Sequence, residues 1–131
     1  MVKLVYCIRK RSDLTSEEFY HYWQHKHGAL IRSLAQKIRA QKYIQSHTLD
    51  TPINQVLVQS RGLDPTPPYD GVTEIWWESM EEFLAGVNSP EGMEAAQQYI
   101  ADEANFVDFS QSRALLAEEH TIFDFSAKGE N

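Results

Sequence analysis

The hydrophobic and polar positions along the chain change period several times, and each period predicts a different element. Residues 2–9 form an almost unbroken apolar run, rich in β-branched and aromatic side chains, which is typical of a strand covered on both faces. Residues 41–49 alternate in polarity and predict a second, half-buried strand, and residues 72–78 predict a third. The last strand is expected between residues 105 and 125, most clearly in the sequence HTIFDF.

Between the first two strands the pattern predicts a helix with a well-marked start. Thr15 occupies an N-cap position and Glu18 follows three residues later, which together make the capping-box pattern. An apolar stripe at helical spacing runs to about His27, where Gly28 is expected to break or re-aim the helix. Helical character is then expected to resume as far as Ile38.

A long connection at residues 51–69 separates the two halves of the chain. Thr51 and Pro52 can start a short helix that Gly62 ends, and the proline-rich remainder cannot form regular structure. Connections of this length are often functional, as lids over a site, but a surface flap without a role is an equal alternative.

The predicted order is strand–helix–strand, a connection, and again strand–helix–strand. This is the order of an α+β fold of the ferredoxin-like βαββαβ type, an antiparallel four-stranded sheet with helices on one face. We expect a single domain at residues 2–125 and a disordered tail at residues 126–131. The second face of the sheet would be bare and would carry Trp, Ile and Val, so we expect a homodimer in which two sheets pack face to face.

The composition narrows the choice of partners. The formal net charge of −7 argues against DNA, RNA or an anionic membrane, because these require a basic protein surface. Cys7 is the only cysteine, so no intramolecular disulfide can form, and a reducing, cytoplasmic location fits best. The first residues are predicted to be a strand and not a signal peptide, and no apolar run approaches the ~20 residues that a membrane helix needs.

A histidine interrupts the apolar stripe of the first helix. The residues that fall on one side of a helical wheel are Phe19, Trp23, His27, Leu30 and Leu34. The His27 imidazole would face the space between helix and sheet beside Trp23, and could act there as a general acid or base because its ordinary pKa lies near neutral pH. The alternative is a structural core histidine that is bonded to a backbone carbonyl.

Polar side chains on the second strand supply further candidates. Tyr43, Gln45 and His47 share one strand face and would suit a pocket wall that offers donors and acceptors to a ligand oxygen. We expect Tyr43 and Gln45, together with Trp23 from the helix, to bind ligand and His47 to assist in catalysis. The alternative for His47 is a solvent-exposed position at the end of the strand.

The third strand adds carboxylates. Glu74 lies in the middle of that strand, where a carboxylate is costly unless it is paired. It could orient a histidine or accept a proton, or it could form a salt bridge to Arg9 or Lys42. Asp70, just before the strand, and Tyr6, in the first strand, are candidate ligand-binding residues, with a simple core position as the alternative for Tyr6.

We expect no metal and no organic cofactor. His21 and His25 are spaced as a metal-binding pair, but the helical wheel places them opposite Phe19 and Trp23, in solvent. The sequence has no glycine-rich phosphate loop, no nucleophile-elbow pattern and no zinc signature.

Four segments of the chain resemble the EthD family, which belongs to the dimeric α+β barrel proteins. They are FYHYWQHKHGAL, YIQSHTLD, YDGVTEIWWES, and the stretch from DEANFVD to AEEHTIF. Their order and spacing cover roughly residues 2–125. Many relatives have Pro where this chain has Ala29, a departure that affects only how sharply the chain turns after His27.

The resemblance implies a ferredoxin-like fold, a homodimer, and a pocket between sheet and helices for a small, largely apolar or aromatic molecule. It favours a cofactor-independent, monooxygenase-like oxidoreductase in which His27 is the acid or base. Relatives also suggest a dehydratase, decarboxylase or cyclase acting on polyketide-like substrates. A binding or accessory protein that does not turn over its ligand remains the alternative from another class.

Overall fold

The computed structural model describes residues 1–126 and contains four strands and five α-helices within that range. The elements are, in chain order, β1 (Val2–Ile8), α1 (Ser16–His21), α2 (Gly28–Leu34), β2 (Lys42–His47), α3 (Ile53–Gln59), β3 (Gly71–Trp77), α4 (Met80–Asn88), α5 (Pro90–Glu103) and β4 (Arg113–Glu118). A π-helical segment (Tyr22–His27) joins α1 to α2, and a short 3₁₀ turn (Phe109–Gln111) precedes β4. Apart from Ser126, the predicted tail at residues 126–131 lies outside the described residues.

The four strands form one antiparallel sheet in the order β2-β3-β1-β4. The order and the two helical crossovers are those of a ferredoxin-like α+β fold, as the sequence pattern predicts. Helices pack on one face, where the core consists of two apolar clusters. One cluster contains Ile8, Phe19, Trp23, Phe106 and Val107, and the other contains Leu34, Ile38, Ile75, Trp77 and Ala95.

The last strand, β4, lies within the predicted range of residues 105–125, but the part of that range thought most strand-like is not in it. The sequence HTIFDF lies outside β4, and its apolar side chains Ile122, Phe123 and Phe125 are strongly exposed. In the register of the sheet, Val2 is paired with Glu118. Because β1 begins at Val2, the chain beyond Glu118 has no strand left to pair with, whatever its intrinsic preference for extended structure.

The start of the first helix is confirmed, whereas the predicted break at Gly28 is not found. Thr15 accepts from the Glu18 backbone N–H, and the Glu18 carboxylate accepts from the Thr15 N–H, which completes the capping box. Gly28 is helical at φ −58°, and its N–H donates to the Trp23 carbonyl across a π-helical turn. That turn contains one more residue than an α-helical turn. The buried stripe therefore continues at Ile31 instead of Leu30.

The face of the sheet opposite the helices is only partly apolar. Leu115 is 54% exposed there, but Trp76 is only 6% exposed. The Trp76 indole N–H donates to Glu119, and the Lys3 and Lys42 ammonium groups lie 5.3 and 4.5 Å from the centre of its ring. The exposed apolar surface of this face therefore comes from aliphatic side chains and not from the tryptophan.

The connection between β2 and β3 contains the short helix α3 and an extended proline-rich segment. Gly62 follows the helix with a φ of +64°, a conformation that favours glycine. The Arg9 guanidinium donates to the carbonyls of Pro67 and Pro68 and lies 4.5 Å from the centre of the Tyr69 ring.

Within residues 1–126, no helix is both long enough and apolar enough to cross a membrane.

Candidate functional site

A cavity of about 180 Å³ lies between the helices and the sheet. Its walls are mainly apolar, and four of the predicted site residues line it: Tyr6, Trp23, His27 and Tyr43. No residue of the 51–69 connection is among the described residues that line it, so the connection does not cover this cavity in the structure. A wider depression of about 750 Å³ on the outer side, at the β2 edge, is open to solvent and does not reach His27. We therefore place the candidate site in the smaller cavity.

The π-helical segment and α5 bring together His27, Asp102 and Tyr22. His27 is 3% exposed, and its Nδ1 lies 2.8 Å from Oδ2 of Asp102. The other oxygen of Asp102 accepts from the Tyr22 hydroxyl at 2.6 Å, and the Asn105 amide donates to that hydroxyl at 3.1 Å. The imidazole is therefore held by a carboxylate that is itself fixed by a second side chain.

The charges of this group determine which nitrogen of His27 carries the proton. Burial raises the pKa of Asp102, but hydrogen bonds from Tyr22 and His27 outweigh burial and hold this pKa below its usual range. Burial lowers the pKa of His27, while Asp102 opposes that shift. An ionised carboxylate can only accept, so neutral His27 carries its proton on Nδ1. Nε2 makes no hydrogen bond within residues 1–126, and its lone pair is available to a molecule in the cavity.

A second titratable group, Glu103, lines the same cavity. The Tyr6 hydroxyl donates to its carboxylate at 3.2 Å. Burial raises the pKa of Glu103 to about 7, the hydrogen bond from Tyr6 opposes this, and the nearby charge of Asp102 adds to it. Burial likewise raises the pKa of Tyr6. The cavity thus combines a histidine that burial keeps neutral with a carboxyl group whose raised pKa allows it to hold a proton near neutral pH.

Trp23 is fixed in the cavity wall by its backbone and by the sheet. The Trp23 carbonyl accepts the π-helical hydrogen bond from the N–H of Gly28, five residues later. It also accepts from the Gln45 amide at 2.8 Å. The same Gln45 amide nitrogen donates to the Tyr43 hydroxyl at 2.9 Å. Any side chain larger than hydrogen at Gly71 would clash with the Trp23 ring, so this glycine permits the indole to lie against the sheet.

Gln45 and His47 do not line this cavity but line the outer depression at the β2 edge together with Tyr43, and they support the cavity wall from that side. The His47 ring stacks on Trp23 and on Tyr20, with ring centres 4.6 and 4.9 Å apart. Its Nε2 lies 2.9 Å from Oε1 of Gln45. The two polar residues therefore act on the cavity through Trp23 and Tyr43, and the structure does not bring His47 to His27.

The two carboxylates predicted at the site, Asp70 and Glu74, lie outside the cavity. The Asp70 side chain accepts from the Lys10 backbone N–H at 2.8 Å, which fixes the chain after β1. Glu74 lies on the sheet face opposite the helices, where its carboxylate accepts from Lys3 at 2.8 Å. The ion pair is formed with Lys3, and not with Arg9 or Lys42 as the sequence suggested. The structure therefore brings neither carboxylate into the cavity.

Sequence reasoning missed the two acidic residues that do reach the site, Asp102 and Glu103. They are adjacent at the C-terminal end of α5, within the segment DEANFVD. A carboxylate at a helix end ordinarily remains in solvent, so only the tertiary packing of α5 against the π-helical segment identifies their role. Within residues 1–126, no three His, Cys, Asp or Glu side chains are close enough together to hold a metal ion.

The site and fold define a small α+β domain with titratable groups in an apolar cavity. The EthD domain matches residues 11–110 of the chain, and the protein belongs to the EthD family. No curated protein sequence matches it significantly.

Solved structures resemble the fold at low sequence identity. An EthD family protein from Bacillus halodurans has a TM-score of 0.61 at 15% identity, with 92% of this chain and 99% of that chain covered. A dimeric ferredoxin-like protein of unknown function from Bacteroides fragilis has a TM-score of 0.54 at 14% identity, with 90% and 95% covered. SnoaB, a cofactor-independent oxygenase from Streptomyces nogalater, has a TM-score of 0.51 at 13% identity, with 94% and 97% covered.

Proposed function

We propose that this EthD protein is an enzyme that acts on a small aromatic molecule in the cavity, with His27 as the proton acceptor. The observation that carries the proposal is the hydrogen bond between Nδ1 of His27 and Asp102, which leaves Nε2 unprotonated at the cavity wall. A general base needs such a lone pair within reach of the substrate and a pKa not far from the working pH.

The reaction that we propose is a cofactor-independent oxidation. His27 takes the proton of a phenolic hydroxyl, and the phenolate donates electrons to dioxygen to form a hydroperoxide at a ring carbon. Loss of water from this hydroperoxide leaves a quinone carbonyl, so one oxygen atom enters the product and the other leaves as water. The likeness of the fold to a cofactor-independent oxygenase supports this choice of reaction.

A second candidate is a dehydratase, and the presence of Glu103 favours it. In that reaction His27 removes a proton next to a carbonyl group, and the Glu103 carboxyl group protonates the departing hydroxyl, which leaves as water. Two proton carriers facing one cavity suit an elimination as well as an oxidation.

Oxygen consumption during turnover of a candidate phenol distinguishes the two reactions. The oxidation requires one dioxygen consumed per product formed, and the elimination requires none. His27→Gln should abolish turnover in either case, whereas Glu74→Gln, on the opposite face of the sheet, should retain it. Binding without product in the wild-type protein would contradict an enzymatic role.

We further propose that the protein forms a homodimer through the face of the sheet opposite the helices. Leu115 and Ile44 are exposed there, and similar folds include dimeric proteins. The cytoplasm is the proposed location of the protein, because its single cysteine, Cys7, suits a reducing compartment.

A further inference from the structure

The indole N–H of Trp23 is a buried donor without a hydrogen bond. Trp23 is 0% exposed, and its Nε1 has no partner among residues 1–126. An unpaired buried donor costs about 1–3 kcal/mol, so proteins usually satisfy such a group. The indole N–H groups of the other two tryptophans are satisfied, since Trp76 donates to Glu119 and Trp77 donates to the Ile38 carbonyl.

Trp23, the residue that carries the unpaired donor, is one of the residues that line the cavity. Trp23 and Tyr43 both line it, and the Trp23 N–H is near enough to the Tyr43 hydroxyl to act against the rise that burial causes in the Tyr43 pKa. The Tyr43 oxygen already accepts from the Gln45 amide at 2.9 Å, and Trp23 makes no hydrogen bond of normal geometry with it. A ligand acceptor in the cavity would complete the hydrogen bonding of Trp23.

The size of the cavity limits the ligand. Its volume is about 180 Å³. An apolar protein cavity of about 150 Å³ holds one benzene molecule. The space therefore suits a single ring with short substituents, and we expect two fused rings to fit poorly.

We propose that the cavity binds a single-ring phenol that also carries a carbonyl oxygen, with the phenolic hydroxyl towards His27 and the carbonyl oxygen accepting from the Trp23 indole N–H. This inference rests on the proposed function for the role of His27, and it adds the substrate class. The ring would lie among apolar side chains that include Ile8, Ile75 and Phe106. On this proposal, multi-ring polyketides are not substrates of this chain.

Binding can be measured without any turnover by recording the three indole N–H resonances in a ¹H–¹⁵N NMR spectrum. The probes are 4-hydroxyacetophenone, 4-isopropylphenol, which has nearly the same shape but lacks the carbonyl, and 6-acetyl-2-naphthol, which has two rings. Trp23→Phe identifies the Trp23 resonance and removes the donor while keeping an aromatic ring. Circular dichroism establishes whether this variant folds, and the comparison of probes on the wild-type protein does not depend on it.

The expected result is that 4-hydroxyacetophenone moves the Trp23 resonance downfield and leaves those of Trp76 and Trp77 in place. It should bind about tenfold more tightly than 4-isopropylphenol, which corresponds to one net hydrogen bond. The naphthol should not bind. Equal affinity for the two phenols with an unmoved Trp23 resonance would overturn the role of the carbonyl, and binding of the naphthol would overturn the size limit.

Failure of this inference and failure of the proposed function give different results. Suppose that 4-hydroxyacetophenone binds specifically at Trp23, but neither it nor related phenols give any product. This result would support the proposed ligand class and contradict the proposed enzymatic role. Turnover of a phenol without a carbonyl group at the same rate as its acetyl counterpart would support the enzymatic role and contradict the proposed ligand class. Absence of binding by all three probes would overturn the inference.

Discussion

His27 and Asp102 are 75 positions apart in the sequence, yet Nδ1 of the imidazole lies 2.8 Å from Oδ2 of the carboxylate. The histidine comes from the π-helical segment and the aspartate from the last turn of α5. The Asp102 side chain is 19% exposed, and that of His27 is 4% exposed. The pair therefore places the charge near the surface and the imidazole inside the cavity, which is the arrangement that a positioned base requires.

Asp102→Asn should lower the pKa of His27 further. Burial already lowers this pKa, and the Asp102 carboxylate is the group that opposes burial. Without the negative charge, the imidazolium form loses its stabilising partner and the imidazole titrates at a lower pH. The measurement is an NMR titration of the His27 ring in both proteins. Glu74→Gln is the matched control, because it removes a carboxylate on the opposite face of the sheet. An unchanged His27 pKa in Asp102→Asn would contradict the pairing.

Glu103→Gln should stabilise the protein at alkaline pH. Burial raises the pKa of Glu103 from 4.5 in the reference state to about 7 in the folded protein. As the pH rises through this window, the unfolded chain loses the proton and the folded chain keeps it, so the free energy of unfolding of the wild type falls. The glutamine variant lacks this loss and should be about 1–3 kcal/mol more stable at pH 8.

Denaturant unfolding of both proteins at pH 4.5 and pH 8 tests this prediction. The contribution of His27 has the opposite sign, since its lowered pKa means that acid favours the unfolded state, but it is common to both proteins and cancels in the comparison. A stability difference between the two proteins that does not change with pH would show that Glu103 is ionised in the folded state.

Gln45→Leu should lower the free energy of unfolding by about 1–3 kcal/mol, because it removes the half-buried donor to the Trp23 carbonyl and the Tyr43 hydroxyl. Gln41→Leu is the matched control. The Gln41 amide donates to the exposed carboxylate of Glu78, so its loss should cost less than about 0.5 kcal/mol. Equal costs in thermal or denaturant unfolding would mean that Gln45 does not hold this wall.

Leu115→Glu should dissociate the proposed homodimer. This leucine projects from the open face of the sheet, and a charge there would have to be buried between two sheets. Leu49→Glu is the control, because Leu49 is also exposed but lies in the loop after β2. Sedimentation of the three proteins should give a dimer for the wild type and for Leu49→Glu, and a monomer for Leu115→Glu. A wild-type monomer at micromolar concentration would contradict the dimer.

The local sequence pattern was sufficient to predict the structure where the relevant residues lie within one helix or strand. The capping box at Thr15, the shared face of Tyr43 and Gln45, and the inward position of His27 all follow from spacing along a helix or strand. The end of the sheet was not predictable in this way. The sequence HTIFDF has a strong preference for strand, but the register of β4 against β1 leaves it without a neighbour.

Contacts between residues that are far apart in the sequence explain why the predicted site residues differ from the observed ones. Glu74 was correctly identified as a strand carboxylate that needs a partner, but Lys3 provides it from β1, which lies beside β3 in a register that the sequence does not reveal. Asp102 and Glu103 gave no local signal, because each acquires its role only when α5 packs beside the π-helical segment. The π-helical turn at Trp23 likewise has no pattern of its own in the sequence.

The ionisation of a bound chromogenic phenol tests the central claim most directly. 4-Nitrophenol absorbs at different wavelengths as the neutral phenol and as the phenolate, so its protonation can be measured in the complex. At a pH near the pKa of the free phenol, we expect a larger phenolate fraction in the wild-type complex than in the His27→Gln complex, because Nε2 of His27 can accept the phenolic proton. Equal phenolate fractions in the two complexes would contradict the assignment of His27 as the base.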